Sequence, residues 1–297
     1  DCLLSRGLGD VYKRQAQGGM VDTPDGDWYA FMFQDRGALG RAPVLMPMHF
    51  EDDFPVIGES GKVPEVLTVL DTGYQYAAIN GSDDFSYKPD ENGQITLKNF
   101  WEFNHQQMDD FWSVTENPGH LRLHSAKLSP TLFQAYNTLT QRTVGPKCAA
   151  EVTLRFAHMK NGDVAGISTF IGNYGFTGVK KENDQFYLIM MGRPAKDTTV
   201  FGQFEYENPG LEYARVPIYG ESICLRAEAD FTDKRDLSSF YYKEGDNWQK
   251  LGIDQPMYFK MDLFTGCRFG LFYYSTEQTG GYVDFSKFQF IWPEYVY

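Results

Sequence analysis

Ser222-Ile223-Cys224-Leu225-Arg226-Ala227-Glu228-Ala229-Asp230-Phe231 decides how this chain folds. Ile223, Leu225, Ala227, Ala229 and Phe231 alternate with Cys224, Arg226, Glu228 and Asp230. A period of two puts one set on each side of a β-strand, apolar inward and polar outward. Val283-Asp284-Phe285-Ser286-Lys287-Phe288-Gln289-Phe290 predicts a further strand near the C-terminus. Phe240 to Trp248 predicts a hairpin turning at Glu244-Gly245-Asp246-Asn247 and returning Trp248 to the core. From Ser82 onward short strands and turns follow one another with almost no helical periodicity. Two antiparallel sheets packed face to face bury such stripes, so this part predicts an all-β sandwich of jelly-roll type.

Working outward to the N-terminal side, Gly18 to Phe33 reads as strand, tight turn, strand, with the turn on Pro24-Asp25-Gly26. Proline presets φ there and glycine accepts positive φ. Arg41 to Phe54 predicts another strand, followed by Pro55-Val56-Ile57-Gly58. Together these make about one propeller blade, which has two faces to bury and cannot bury both alone. The pattern weakens from Gly61 to Gly81. The expected organisation is a propeller remnant at 16–60, a linker at 61–81 and the sandwich at 82–297.

Residues 1–15, DCLLSRGLGDVYKRQ, carry no strand alternation and read as a translated sequencing adapter, or else as a native N-terminal arm. Setting their three basic and two acidic residues aside moves the net charge of the 297-residue chain only from −13 to −14. That field, with no Lys/Arg run, disfavours a nucleic-acid partner. Mean hydropathy is −0.43, and no apolar run nears the ~18 residues of a membrane span. Cys2, Cys148, Cys224 and Cys267 are widely spaced. Neither a disulfide framework nor a zinc site is expected, and three of the four read as buried small hydrophobes.

Few residues offer chemistry. His120-Leu121-Arg122-Leu123-His124 has a zinc-chelating spacing on a helix. The leucines argue for a strand, in which positions four apart lie about 13 Å from each other. His105 reads either as a hydrogen-bonded structural histidine or as a ligand or base. Asp22, Asp25, Asp27, Asp52-Asp53, Asp83-Asp84 and Asp109-Asp110 read as solvated turns. Asp84 and Asp284 carry a second reading, a structural calcium site formed where the first and last strands of the sandwich meet; no other cofactor is required. The aromatics, 16% of the chain, fall mostly on strand alternations and are expected in the core.

Gln17-Gly18-Gly19, Val21 to Tyr29, Phe33-Gln34-Asp35-Arg36-Gly37-Ala38-Leu39-Gly40-Arg41 and Leu45-Met46-Pro47 resemble the last blade of glycoside hydrolase family 43. Trp101-Glu102-Phe103-Asn104-His105, Phe111-Trp112-Ser113-Val114, Pro118 to Leu123, Thr138 to Arg142, Asp163-Val164-Ala165-Gly166 and Phe264-Thr265-Gly266 resemble that family's concanavalin A-like β-xylosidase C-terminal domain. The resemblance implies a five-bladed propeller that hydrolyses xylosyl or arabinofuranosyl linkages by inversion. Its catalytic Asp, Asp and Glu are expected upstream of this chain, so no catalytic residue is assigned and the chain alone is expected to be inactive. Where some relatives place a channel-facing His before Gln-Gly-Gly, this chain has Ala16. By the same resemblance Arg41 matches an arginine that holds the sugar, or else is a surface arginine bonding a loop. Phe264, with Leu263 beside it, matches an aromatic that a sandwich loop pushes into the propeller pocket, or else is buried in the sandwich. The implied partners are a xylo- or arabinoxylo-oligosaccharide and the chain's own propeller domain. Two further classes stand beside this reading: a lectin-like module whose sandwich binds polysaccharide, and an architectural prop.

Overall fold

The alternation along 222–231 produces the strand it predicts, with Leu225, Ala227 and Ala229 buried and Arg226 and Glu228 half-exposed between them. The protein is described here from a computed structural model over residues 15–69, 73–193, 207–257 and 265–292. The chain divides into two compact units, Asp1–Tyr76 and Ala77–Tyr297.

The first unit is a four-stranded antiparallel meander of β1 (Gln15–Asp22), β2 (Trp28–Asp35), β3 (Arg41–Glu51) and β4 (Phe54–Ile57). The β1–β2 turn closes with Gly26 N–H donating to Thr23 O at 2.9 Å, Gly26 having a φ of 89°. The strand expected to run from Arg41 to Phe54 ends instead at Glu51. Asp52 and Asp53, at φ 48° and 64°, form a two-residue hairpin turn whose left-handed pair matches the twist of the strands. Ala30, Met46 and Met48 are buried beneath half-buried Trp28, Met32, Val44, Ile57 and Val63. Phe31 and Phe54 remain 52% and 76% exposed. A meander buried on one side and apolar on the other is the form of a propeller blade.

The second unit contains β5 (Glu102–Phe103), β6 (Trp112–Ser113), β7 (Leu121–His124), β8 (Leu139–Arg142), β9 (Lys147–Arg155), β10 (Asp163–Phe170), β11 (Gly175–Glu182) and β12 (Gln185–Gly192). It continues through β13 (Leu211–Ile218), β14 (Ser222–Asp230), β15 (Leu237–Glu244), β16 (Asn247–Lys250), β17 (Gln255–Pro256), β18 (Arg268–Ser275) and β19 (Tyr282–Ile291). One sheet runs β13-β12-β11-β10-β18-β8-β5 and the other β16-β15-β14-β9-β19-β7-β6, with β17 paired to β15. Their faces meet where β10 and β11 lie against β14 and β15. Neighbours such as β9, β14 and β19 are far apart in sequence, as in a jelly roll.

The first sheet is covered on both sides, so β10 is buried along its whole length. One face supplies Ile167, Leu271, Val179 and Leu188 to the space between the sheets. On the other, Val164, Phe176, Ile189 and Phe272 pack under Leu132 and Ala135 from the segment before β8. Trp248 departs from expectation. It is half-exposed on the outer face, opposite Lys243, its ring 5.7 Å from the Arg226 guanidinium. Among the described residues, no helix is long and apolar enough to cross a membrane.

Candidate functional site

Arg41 opens β3, directly across the hairpin from Asp35 at the end of β2. The loop between them is closed by Arg36 N–H donating to Gly40 O at 2.9 Å and Gly40 N–H to Gly37 O at 3.0 Å. Gly37 and Gly40, at φ 62° and 91°, supply the left-handed backbone that β-carbon-bearing residues avoid. The Arg41 Nε donates to Asp35 Oδ1 at 3.0 Å with both side chains largely buried. Its guanidinium stands 4.1 Å from the Phe33 ring centroid. A permanently charged planar fork, held by a carboxylate and a ring, suits recognition of paired oxygens. Leu263 and Phe264 lie outside the described residues.

Asp284 and Asp84 take separate partners. Arg122 grips Asp284 with a bidentate fork, Nε to Oδ1 at 2.7 Å and Nη2 to Oδ2 at 2.8 Å, and Asn117 Nδ2 adds 2.9 Å to Oδ2. Burial pushes the Asp284 carboxyl upward, but Arg122 and Asn117 outweigh it and hold the group below the usual carboxylate range. Hydrogen bonding to Asp284 raises the Arg122 pKa in turn. Asp84 Oδ1 accepts the Ser86 N–H at 3.0 Å. The cation at Asp284 is thus a guanidinium, and among the described residues no group of three His, Cys, Asp or Glu is arranged to hold a metal ion. A hard cation needs several unspent oxygens, and this donor set does not fit one.

Asp83, read from sequence as a solvated turn, is instead 2% exposed and central to its surroundings. Its carboxylate accepts from Trp101 Nε1 at 2.8 Å, from Phe85 N–H at 3.0 Å and from the Tyr87 hydroxyl, and pairs with Lys98 at 3.0 Å. Its backbone bridges Phe288 of β19 through two 2.9 Å bonds. The residue at the start of the sandwich that meets the last strand is therefore Asp83. Asp163, buried at the start of β10, accepts from the Tyr273 hydroxyl at 2.6 Å, the Lys160 N–H at 2.6 Å and the Ser275 hydroxyl. Burial drives its pKa up while these donors pull it down.

The histidines are bound locally. His120 and His124 approach Pro118 O at 3.2 Å and Glu116 Oε2 at 3.0 Å respectively, so the pair shares no ligand. His105 bonds the Phe133 carbonyl. Cys148, Cys224 and Cys267 are free thiols. Burial pushes Cys148 up to about 12, far from a reactive thiolate. Cys224 is only half-buried, on the outer face of β14, a departure from the expected burial of three cysteines. Cys2 lies outside the described residues.

The second unit is a two-sheet jelly roll and the first a four-stranded antiparallel meander, the architectural class that the comparisons with known proteins specify. Residues 90–291 match the model of the beta-xylosidase C-terminal concanavalin A-like domain, and the chain belongs to that family within the glycoside hydrolase family 43 (GH43) enzymes. A beta-xylosidase of Formosa agariphila is 26% identical, the match spanning 97% of this chain and 50% of that protein. A bifunctional GH43-CE structure of Bacteroides eggerthii is 38% identical with a TM-score of 0.80, covering 93% of this chain and 34% of its own. An engineered GH43 glycoside hydrolase, described as displaying endo-xylanase and exo-arabinofuranosidase activity, is 28% identical with a TM-score of 0.81, covering 93% and 54%. This chain therefore spans between a third and about half the length of these relatives.

Proposed function

We infer that this chain is the C-terminal part of an inverting glycoside hydrolase that cleaves xylosyl or arabinofuranosyl bonds in xylan or arabinoxylan. The observation that carries the reading is the match to solved GH43 enzymes over 93% of the chain, which takes in blade and sandwich alike. In this reading β1–β4 supply one blade of a five-bladed catalytic propeller, and Arg41, prepositioned by Asp35 and Phe33, holds sugar hydroxyls. The sandwich supports the propeller and helps close its pocket through the loop bearing Leu263 and Phe264. Inversion requires an acid and a base carboxyl about 6.5–9.5 Å apart, with a water between them and the sugar, and these belong to blades other than β1–β4.

The test is hydrolysis of aryl β-xyloside and aryl α-arabinofuranoside by two proteins, the 297-residue chain and the same chain extended by its upstream coding sequence. The chain alone should release no aryl alcohol and the extended protein should. Turnover by the chain alone, or inertness of the extended protein on both substrates, would overturn the reading.

A further inference from the structure

At one end of the sandwich, the turn after β13 meets the start of β14 and the end of β15 around a cleft of about 490 Å³. Ligand pockets run from about 300 to 1,000 Å³. Tyr219, Ser222, Cys224, Tyr242, Lys243 and Glu244 line it. Tyr219 is 84% exposed. Among the described residues, none stacks on the Tyr219 or Tyr242 ring, and none bonds the hydroxyls of Tyr219, Tyr242 and Ser222 or the Glu244 carboxylate. A smaller groove on the outer face differs on this point. Its Arg226 is spent on Glu151 at 2.8 Å and Glu228 at 2.6 Å, and its Lys147 on Asp230 at 2.9 Å.

Unspent rings beside unspent hydroxyls are the complement of a neutral sugar, whose C–H face lies on an aromatic while its hydroxyls pair at the edge. Lys243 and Glu244 cancel in charge, and the chain's −13 opposes a polyanion. We propose that this cleft binds a neutral xylo-oligosaccharide chain, with Tyr219 as its stacking platform. The choice of xylan among neutral glycans rests on the function inferred above; the choice of a neutral glycan rests on the cleft.

The experiment is calorimetric titration of the 297-residue chain with xylohexaose, with cellohexaose and polygalacturonate as comparators, in wild type, Tyr219→Ala and Trp248→Ala. Saturable xylohexaose binding is expected in wild type, weakened about tenfold or more in Tyr219→Ala and unchanged in Trp248→Ala, whose ring lies on the outer face. An unchanged urea midpoint verifies that Tyr219→Ala folds. Equal affinity in wild type and Tyr219→Ala, or a preference for polygalacturonate, overturns the proposal. Tyr219-dependent binding of cellohexaose but not xylohexaose overturns it in its ligand and counts against the xylan reading. No binding of any glycan, while the extended protein hydrolyses xylosides, overturns this proposal alone.

Discussion

Arg122 and Asp284 show how one residue pair settles a local question of chemistry. The Asp284 side chain is 6% exposed and both its oxygens accept from the Arg122 fork, which also lies 4.2 Å from the Tyr282 ring centroid. Arg122→Met keeps an unbranched apolar stem and deletes the fork, and removing one partner of a buried pair costs about 3–5 kcal/mol. The cost depends on pH in a definite direction. A carboxylate held below its ordinary range stabilises the fold above its unfolded pKa of about 3.9, and that contribution fades as pH falls through the folded pKa. The gap in urea midpoint between wild type and variant should be full at pH 7 and should shrink below about pH 4; a gap of equal size at pH 7 and pH 3 would contradict the assignment. Asp83 teaches the complementary lesson. Two adjacent aspartates after a weakly patterned stretch look like solvent-facing turn residues, and nothing local reveals that Trp101, Tyr87 and Lys98 converge on the first of them.

At the scale of elements, β10 carries a tight backbone constraint. Gly166 pairs with Gly178 across the β10–β11 ladder, and a β-carbon on Gly166 would lie 2.2 Å from the Thr177 carbonyl oxygen and 2.6 Å from Gly178 Cα. Neither atom is the end of a flexible side chain, so the strands would have to separate. Gly166→Ala should lower stability by about 1–3 kcal/mol, the usual range of overpacking, read as a fall in denaturation midpoint at unchanged m-value. A midpoint within error of wild type would show that the ladder relaxes freely. The Trp248 hairpin marks where element-level reading failed. Its strands and turn are where the pattern puts them, but the cross-strand pairing of Trp248 with Lys243 assigns the ring to the outer face. A large aromatic in a four-residue strand carries too little alternation to reveal its side.

At the scale of the molecule, two units of unequal cores share the chain. The blade buries Ala30, Met46 and Met48 with five half-buried neighbours, while the sandwich has a packed interior between its sheets and another cluster beyond the first. A small core supports little independent stability. Calorimetry should therefore resolve more than one transition, the first removed by deleting residues 1–76, and limited proteolysis should leave a resistant body beginning near Ala77. One transition that meets the two-state criterion would contradict this.

The sequence by itself determined the all-β class, the hairpins on Pro24-Asp25-Gly26 and Gly245-Asp246, and the strand nature of Leu121 to His124. These follow from the period of two and from turn chemistry, which act over a few neighbouring residues. The tertiary structure decided which polar residues are buried, which face Trp248 and Cys224 occupy, that Asp284 is held by a guanidinium, and that Tyr219, Ser222, Tyr242 and Glu244 gather at one cleft. Most of those depend on pairing strands such as β9, β14 and β19 that are distant in sequence, and the register of a ladder is settled only when all the faces are buried together.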